Sequence, residues 1–169
     1  MEAATELWAT GAQVSALCAC SNLRRASRAV TQLYDEALKP AGLRATQFNL
    51  MISIHLWGKA TIGDLAQVAQ MDPTTLTRNL AGLDRLGLVE IAEGADRRSR
   101  VVGLSRKGVV ALKRALPLWE KVQGALMKQV GEDYWRAMLP FLSNVTEAAQ
   151  GLVEDTQVKA QLRAIKGGE

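Results

Sequence analysis

Apolar residues return at three- and four-residue steps between about Ala12 and Leu38. Leu23, Ala26, Val30, Leu33, Ala37 and Leu38 mark one face of a helix. The stretch KPAGL, Lys39–Leu43, stops it, since proline removes a backbone donor and glycine favours a turn. Thr46–Trp57 predicts a second, mostly buried helix closed by Gly58. Thr61 then stands as an N-cap with Asp64 three residues on, close to a capping box, and Ile62, Leu65, Ala66 and Ala69 supply the stripe of a short helix. Asp72 caps the next helix, Pro73 takes its first position, and Leu76, Leu80, Leu83 and Leu86 form a strict apolar stripe ended by Gly87. Two short helices joined by about two residues make a helix-turn-helix.

Past Gly87 the period changes. LVEIAE sets Leu88, Glu90 and Ala92 against Val89, Ile91 and Glu93, and RVVGL at Arg100–Leu104 is a second β-branched run. Gly94 allows the turn between them, so Asp96, Arg97, Arg98 and Arg100 ride on a β-hairpin directly behind the helix-turn-helix. That combination is a winged helix. The rest is helical: Ser105 is a cap candidate, and Val109, Leu112, Leu116, Trp119, Val122, Leu126 and Val130 make a long amphipathic face. Pro117 inside it predicts a kink or a later start. Gly131 breaks the pattern. Trp135, Met138, Leu139, Leu142, Val145, Leu152 and Val153 define a last helix containing Pro140, and the tail KGGE is expected to fray. The fold class is therefore mainly α with a small β-hairpin wing, a winged helix-turn-helix core flanked by N- and C-terminal helices.

Composition adds limits. A chain of 169 residues, 48% hydrophobic and 22% charged, has the size of one compact domain or two small lobes sharing a core. Net charge is +4. This permits a nucleic-acid partner without requiring one. The pattern holds neither a leader nor a run of apolar residues long enough to span a bilayer, which predicts a cytoplasmic protein with no membrane partner. A single histidine, His55, and two cysteines argue against a zinc cluster or a His-based triad. No nucleophile–base set, metal set or cofactor loop is visible, so the chain is expected not to be an enzyme. Cys18 and Cys20 lie two apart in a helical pattern, where neighbours do not face each other, so a disulfide between them would need unwinding.

With its leucines turned inward, the second short helix offers Thr74, Thr75, Thr77, Arg78 and Asn79 on the other face. These side chains can hydrogen-bond to bases and phosphates from the N-terminal end of a recognition helix. Thr61, at the start of the preceding helix, is grouped with them as a DNA-contact candidate. The plain alternative is a polar solvent face that touches nothing. The hairpin shifts the balance: a protruding loop needs no arginines to fold, and arginine enters narrow minor grooves. Asp96 beside Arg97 and Arg98 can orient one guanidinium through a bidentate pair. From Thr61 to Val110, seven Lys/Arg stand against six Asp/Glu. DNA affinity must then come from placement and from duplication in a dimer.

Taken together, TIGDLAQVAQMDPTTLTRNLAGLDRLGLVE followed by DRRSRVVGLSRKG resembles the core signature of the multiple-antibiotic-resistance regulator (MarR) family of winged-helix transcription factors. The resemblance covers roughly residues 15 to 155. It implies a homodimeric repressor or activator on double-stranded DNA, with Arg98 as the wing-tip arginine in the minor groove, Asp96 as its orienting partner and Thr74–Asn79 as the major-groove readers. Residues 1–58 would be N-terminal helices of the dimerisation region and junction, 59–104 the DNA-binding lobe, and 105–169 the C-terminal dimerisation helices. Operators read by such a dimer are imperfect palindromes.

Two further readings stay open. CSNLRRASRAVTQLY, Cys20–Tyr34, resembles the first helix of the family's organic-hydroperoxide-sensing branch, where a lone cysteine precedes a tyrosine by the same interval. Arg24 stands where that branch typically carries a further tyrosine, and a cation one turn from Cys20 would lower its thiol pKa. Against this, a free cysteine is commonly a small buried core residue. Cys20, Arg24, Tyr34, His55 and Trp57 are the candidates around the junction of the first, second and long helices, where a small apolar or aromatic effector would bias one arrangement of the lobes. For His55 the plain alternative is a partly buried helix residue. The near-neutral module also leaves open a winged helix used for protein contact, with no operator of its own.

Overall fold

The computed structural model describes residues 2–69, 71–94 and 100–154. It divides into two compact units, residues 1–122 and 123–169. In chain order the elements are α1 (Glu2–Leu17), α2 (Ala19–Leu38), α3 (Ala45–Trp57), β1 (Ala60–Thr61), α4 (Ile62–Val68), α5 (Pro73–Arg85), β2 (Val89–Glu93), β3 (Arg100–Leu104), α6 (Arg106–Val130) and α7 (Glu132–Glu154).

The expected first helix is two helices. Cys18 is extended, with φ −63° and ψ 113°, and serves as the N-cap of α2, so Cys18 and Cys20 do not share one continuous helix. Neither proline nor glycine marks the break, which is why a reading based on breakers runs through it. A 3-10 turn at Lys39–Ala41 and Gly42 in the left-handed region (φ 73°) end α2 where KPAGL predicts.

The core of the first unit gathers Leu38 of α2, Phe48, Leu50, Met51 and Ile54 of α3, Leu65 of α4, Leu76, Leu80 and Leu83 of α5, Val102 of β3, and Leu112 and Ala115 of α6. Fully burying a side chain such as Leu76 or Leu83 contributes about 1.5–3 kcal/mol before entropy costs. Phe48 stacks on Trp119 with ring centroids 6.3 Å apart. The leucine stripe of α5 is three residues long rather than four. Leu86 is 43% exposed, because it is already the C-cap residue and the chain turns there. The Leu88 amide donates to the Leu83 carbonyl at 2.9 Å and Gly87 takes φ 65°, a Schellman closure.

Antiparallel strands run in the order β1-β3-β2, with Glu90 opposite Gly103, Ile91 opposite Val102 and Glu93 opposite Arg100. The alternation holds only from Val89 to Ala92: Val89 is buried and Ile91 partly so, Glu90 and Ala92 are exposed, but Glu93 is exposed and Leu88, just before the strand, is buried. Strand β1 is a finding beyond the periodicity. Two residues carry no period, and Ala60 and Thr61 become a strand only by pairing with Val102 and Val101.

Helix α6 starts at Arg106 and runs through Pro117 to Val130, without the later start that proline allowed. Ser105 anchors it: its Oγ donates to the Gly87 carbonyl at 2.7 Å and accepts from the Gly108 amide at 2.9 Å. Its buried face includes Leu112, Ala115 and Val122, whereas Leu116 and Val130, expected inside, are exposed in one chain. In the second unit, α6 ends at Gly131 (φ 91°) and α7 continues through Pro140. Trp135, Leu142 and Val145 are half-buried there, and Tyr134, Phe141, Leu152 and Val153 are exposed. Leu162 and the KGGE tail lie outside the described residues.

Candidate nucleic-acid interface

Helix α4 is held by its start. Thr61 Oγ1 accepts from the Asp64 amide at 3.1 Å and donates to Asp64 Oδ2 at 2.7 Å, while the Thr61 amide donates to the same carboxylate at 3.3 Å. The Thr61 hydroxyl is therefore engaged within the cap. Helix α5 is held similarly. Asp72 Oδ1 accepts from the Thr75 amide at 2.9 Å, and Pro73 sits where its missing N–H costs nothing. The hydroxyl and amide of Thr75 hold the Asp72 carboxyl below the usual carboxylate range.

Because Leu76, Leu80 and Leu83 face the core, the opposite side of α5 faces outward. Thr74, Thr77 and Arg78 are exposed, and Thr75 is half-buried. The Thr77 hydroxyl donates back to the Pro73 carbonyl at 2.7 Å and keeps its acceptor capacity. Asn79 is half-buried, and its amide reaches Met71 Sδ at 3.7 Å, so it turns partly inward. Arg100 is exposed at the start of β3 opposite Glu93. Asp96, Arg97 and Arg98 lie outside the described residues.

A groove of about 480 Å³ adjoins this face. It is lined by Arg44, Thr46 and Gln47 from the start of α3 and by Arg78, Asn79 and Arg85 from α5. Sequence reasoning left out Arg44, Thr46, Gln47 and Arg85. Arg85 follows Arg78 by seven residues and so shares its side of the helix, a signal the spacing does contain. Arg44 carries no such signal, because only tertiary packing of α3 brings it there.

The five effector candidates are not assembled at one pocket. His55 is exposed at the end of α3 and lines a hollow of about 590 Å³ with Lys59, Glu90, Ala92 and Val101. Trp57 is 56% exposed, Tyr34 is half-buried against the core, and Arg24 lines a shallow depression on α2 with Leu23 and Arg28. Burial pushes the Tyr34 phenol up. Cys20 is exposed in one chain rather than buried. The backbone and then the hydroxyl of nearby Ser21 hold the Cys18 thiol below its ordinary pKa. Among the described residues, no group of three His, Cys, Asp or Glu could hold a metal ion, and no helix is long and apolar enough to cross a membrane.

This geometry has solved counterparts. The transcriptional regulator MosR of M. tuberculosis, crystallised in complex with DNA, superposes with a TM-score of 0.74 at 41% sequence identity, covering 79% of this chain and 97% of that one. The chain belongs to the MarR family. MarR of E. coli, as a mutant complexed with operator DNA, superposes with a TM-score of 0.71 at 24% identity, covering 79% of this chain and 96% of that one. MarR-family membership makes the protein a winged-helix transcriptional regulator rather than an enzyme. No protein-family model matches the chain. Among curated relatives, the helix-turn-helix-type regulator YwoH of Bacillus subtilis is 24% identical over 85 residues, which span 50% of this chain and 62% of that one. A Bacillus cereus regulator of the same type is 30% identical over 86 residues, 51% of this chain and 57% of that one.

Proposed function

We propose that the protein is a homodimeric, sequence-specific DNA-binding regulator whose operator binding responds to a small apolar or aromatic molecule at the junction of its lobes. The observation that carries the reading is α5: capped by Asp72, fixed inward by three leucines, it turns Thr74, Thr77 and Arg78 outward beside a basic groove. MosR and MarR, which share the fold, have been crystallised on DNA. Residues 59–104 form the DNA-binding lobe, and residues 1–58 and 105–169 provide dimerisation helices. Thr74, Thr75, Thr77, Arg78 and Asn79 read the major groove, Thr61 fixes α4, and Arg97, Arg98 and Arg100 with Asp96 serve the wing. Support for the dimer comes from the apolar residues that α7 leaves exposed, Phe141, Leu152 and Val153.

The test separates positioning from reading. Arg98→Ala lowers affinity on all duplexes, since a wing in the minor groove senses shape and phosphate. Arg78→Ala or Thr75→Ala changes preference between operator variants by about 1–3 kcal/mol. Equal losses on every sequence would refute these roles, and binding untouched by all three changes would favour the protein-contact module instead.

A second reading has one observation of its own. The lowered thiol pKa at Cys18 favours a redox response and sets Cys18 beside Cys20 as a candidate centre for it. Peroxide that releases DNA from the protein, with Cys18→Ser abolishing the release, supports it. Release that survives Cys18→Ser and is lost in Cys20→Ser assigns the response to Cys20, and no release by peroxide refutes the redox reading.

A further inference from the structure

The groove between α3 and α5 holds three arginines, Arg44, Arg78 and Arg85, all exposed. None of them is ion-paired among the described residues, where the only salt bridges are Lys39–Glu36 and Arg136–Glu132. Like charges gathered in one groove repel one another; Arg85 Nε donates to the Ala81 carbonyl at 3.3 Å, a bond within its own helix that does not offset a neighbouring cation. The start of α3 is not what would draw an anion. Its Ala45 amide already donates to Asp35 Oδ1 at 2.7 Å, and the Arg44 amide donates to Gln47 Oε1 at 2.9 Å. The anion-binding capacity of the groove is in the guanidinium groups.

A second observation concerns the groove floor. Gly82 lies inside α5 between Arg78 and Arg85, and a Cβ built on it would meet nothing within 4 Å. A glycine in a helix interior is costly relative to alanine. No neighbour among the described residues fills that space, so the helix surface at Gly82 is open to the groove. Residues 78, 82 and 85 form one stripe of α5, about 10 Å long at 1.5 Å per residue.

We infer that this groove is a phosphodiester-binding wall, in which Arg44 beside α3 and Arg85 of α5 grip the DNA backbone beside the major groove while Gly82 lets that backbone approach the helix. Arg44 lies outside the helix-turn-helix, so the start of α3 becomes part of the DNA-contacting surface and sets how deeply α5 sits. The inference rests on the proposed DNA-binding function.

The experiment uses the full chain and mixed-sequence duplex DNA, with affinity measured by fluorescence anisotropy across a salt series. Arg44→Ala and Arg85→Ala each reduce the slope of log K against log salt, by about 0.9 for every phosphate that the variant no longer neutralises. Arg136→Ala, which removes a cation from α7 outside the proposed DNA lobe, leaves the slope unchanged. Gly82→Ala raises the Tm and yet weakens binding, an opposition that a folding defect would not produce. Unchanged slopes for both arginine variants, or a Gly82→Ala protein that binds as tightly as the parent, would overturn the wall while leaving the DNA-binding function intact. A parent protein with no salt-dependent binding overturns both.

Discussion

Gly108 shows what a single residue decides. A Cβ there would collide with the backbone carbonyl oxygen of Leu88, which already accepts from the Ser105 amide. The glycine lets the first turn of α6 press against the exit of α5, where Ser105 already ties Gly108 to Gly87. Gly108→Ala is expected to destabilise the fold by about 1–3 kcal/mol through overpacking, read as a lowered urea midpoint at unchanged slope. A variant as stable as the parent would contradict the packing described. Cys18 gives a second residue-scale prediction. Its thiol is held below the ordinary range by Ser21, so alkylation of Cys18 continues at pH values where an ordinary thiol has stopped reacting. Ser21→Ala should move that profile upward but only in part, because the amide of residue 21 remains. A profile that Ser21→Ala leaves in place would contradict the assignment.

At the scale of elements, α5 was the most legible in the sequence. Asp72, Pro73 and the leucines at 76, 80 and 83 are local signals, and local signals need no tertiary knowledge. Other elements were legible only in the fold. Strand β1 exists through its pairing with β3, the break at Cys18 carries no proline or glycine, and the Arg44 side of the basic groove depends on how α3 packs. The Asp72 cap also sets a pH response. Its folded-state pKa is depressed, so its contribution is complete above the ordinary carboxylate value, about 3.9, and fades as pH falls through the lower folded value. Asp72→Asn keeps an acceptor for the Thr75 amide and removes this acid dependence, whereas Asp72→Ala lowers the Tm at neutral pH by a few degrees. Identical acid-unfolding curves for the parent and Asp72→Asn would contradict the cap's role.

For the whole molecule, the charge balance of the proposed DNA lobe is nearly even, so bulk attraction cannot account for specific binding. In the proposed function placement does it: one reading helix, one wing and one basic groove per chain, each repeated in the proposed dimer. The exposed apolar residues of α7 are expected to be covered in that dimer. Two recognition helices then lie about one DNA turn apart, roughly 34 Å, and dictate a two-fold target. Sedimentation should give twice the chain mass at micromolar concentration, and a stable monomer there would remove the basis for a palindromic operator. The fold class was legible from periodicity because helix and strand periods are distinct. The proposed second chain rests on apolar surface that one chain leaves uncovered. The most direct measurement of the central claim is selection and sequencing of genomic fragments retained by the purified protein. The account predicts enrichment of imperfect palindromes with half-sites about one helical turn apart, lost when Arg78 and Arg98 are both replaced by alanine. Retained fragments with no shared motif, or none retained above background, would contradict it.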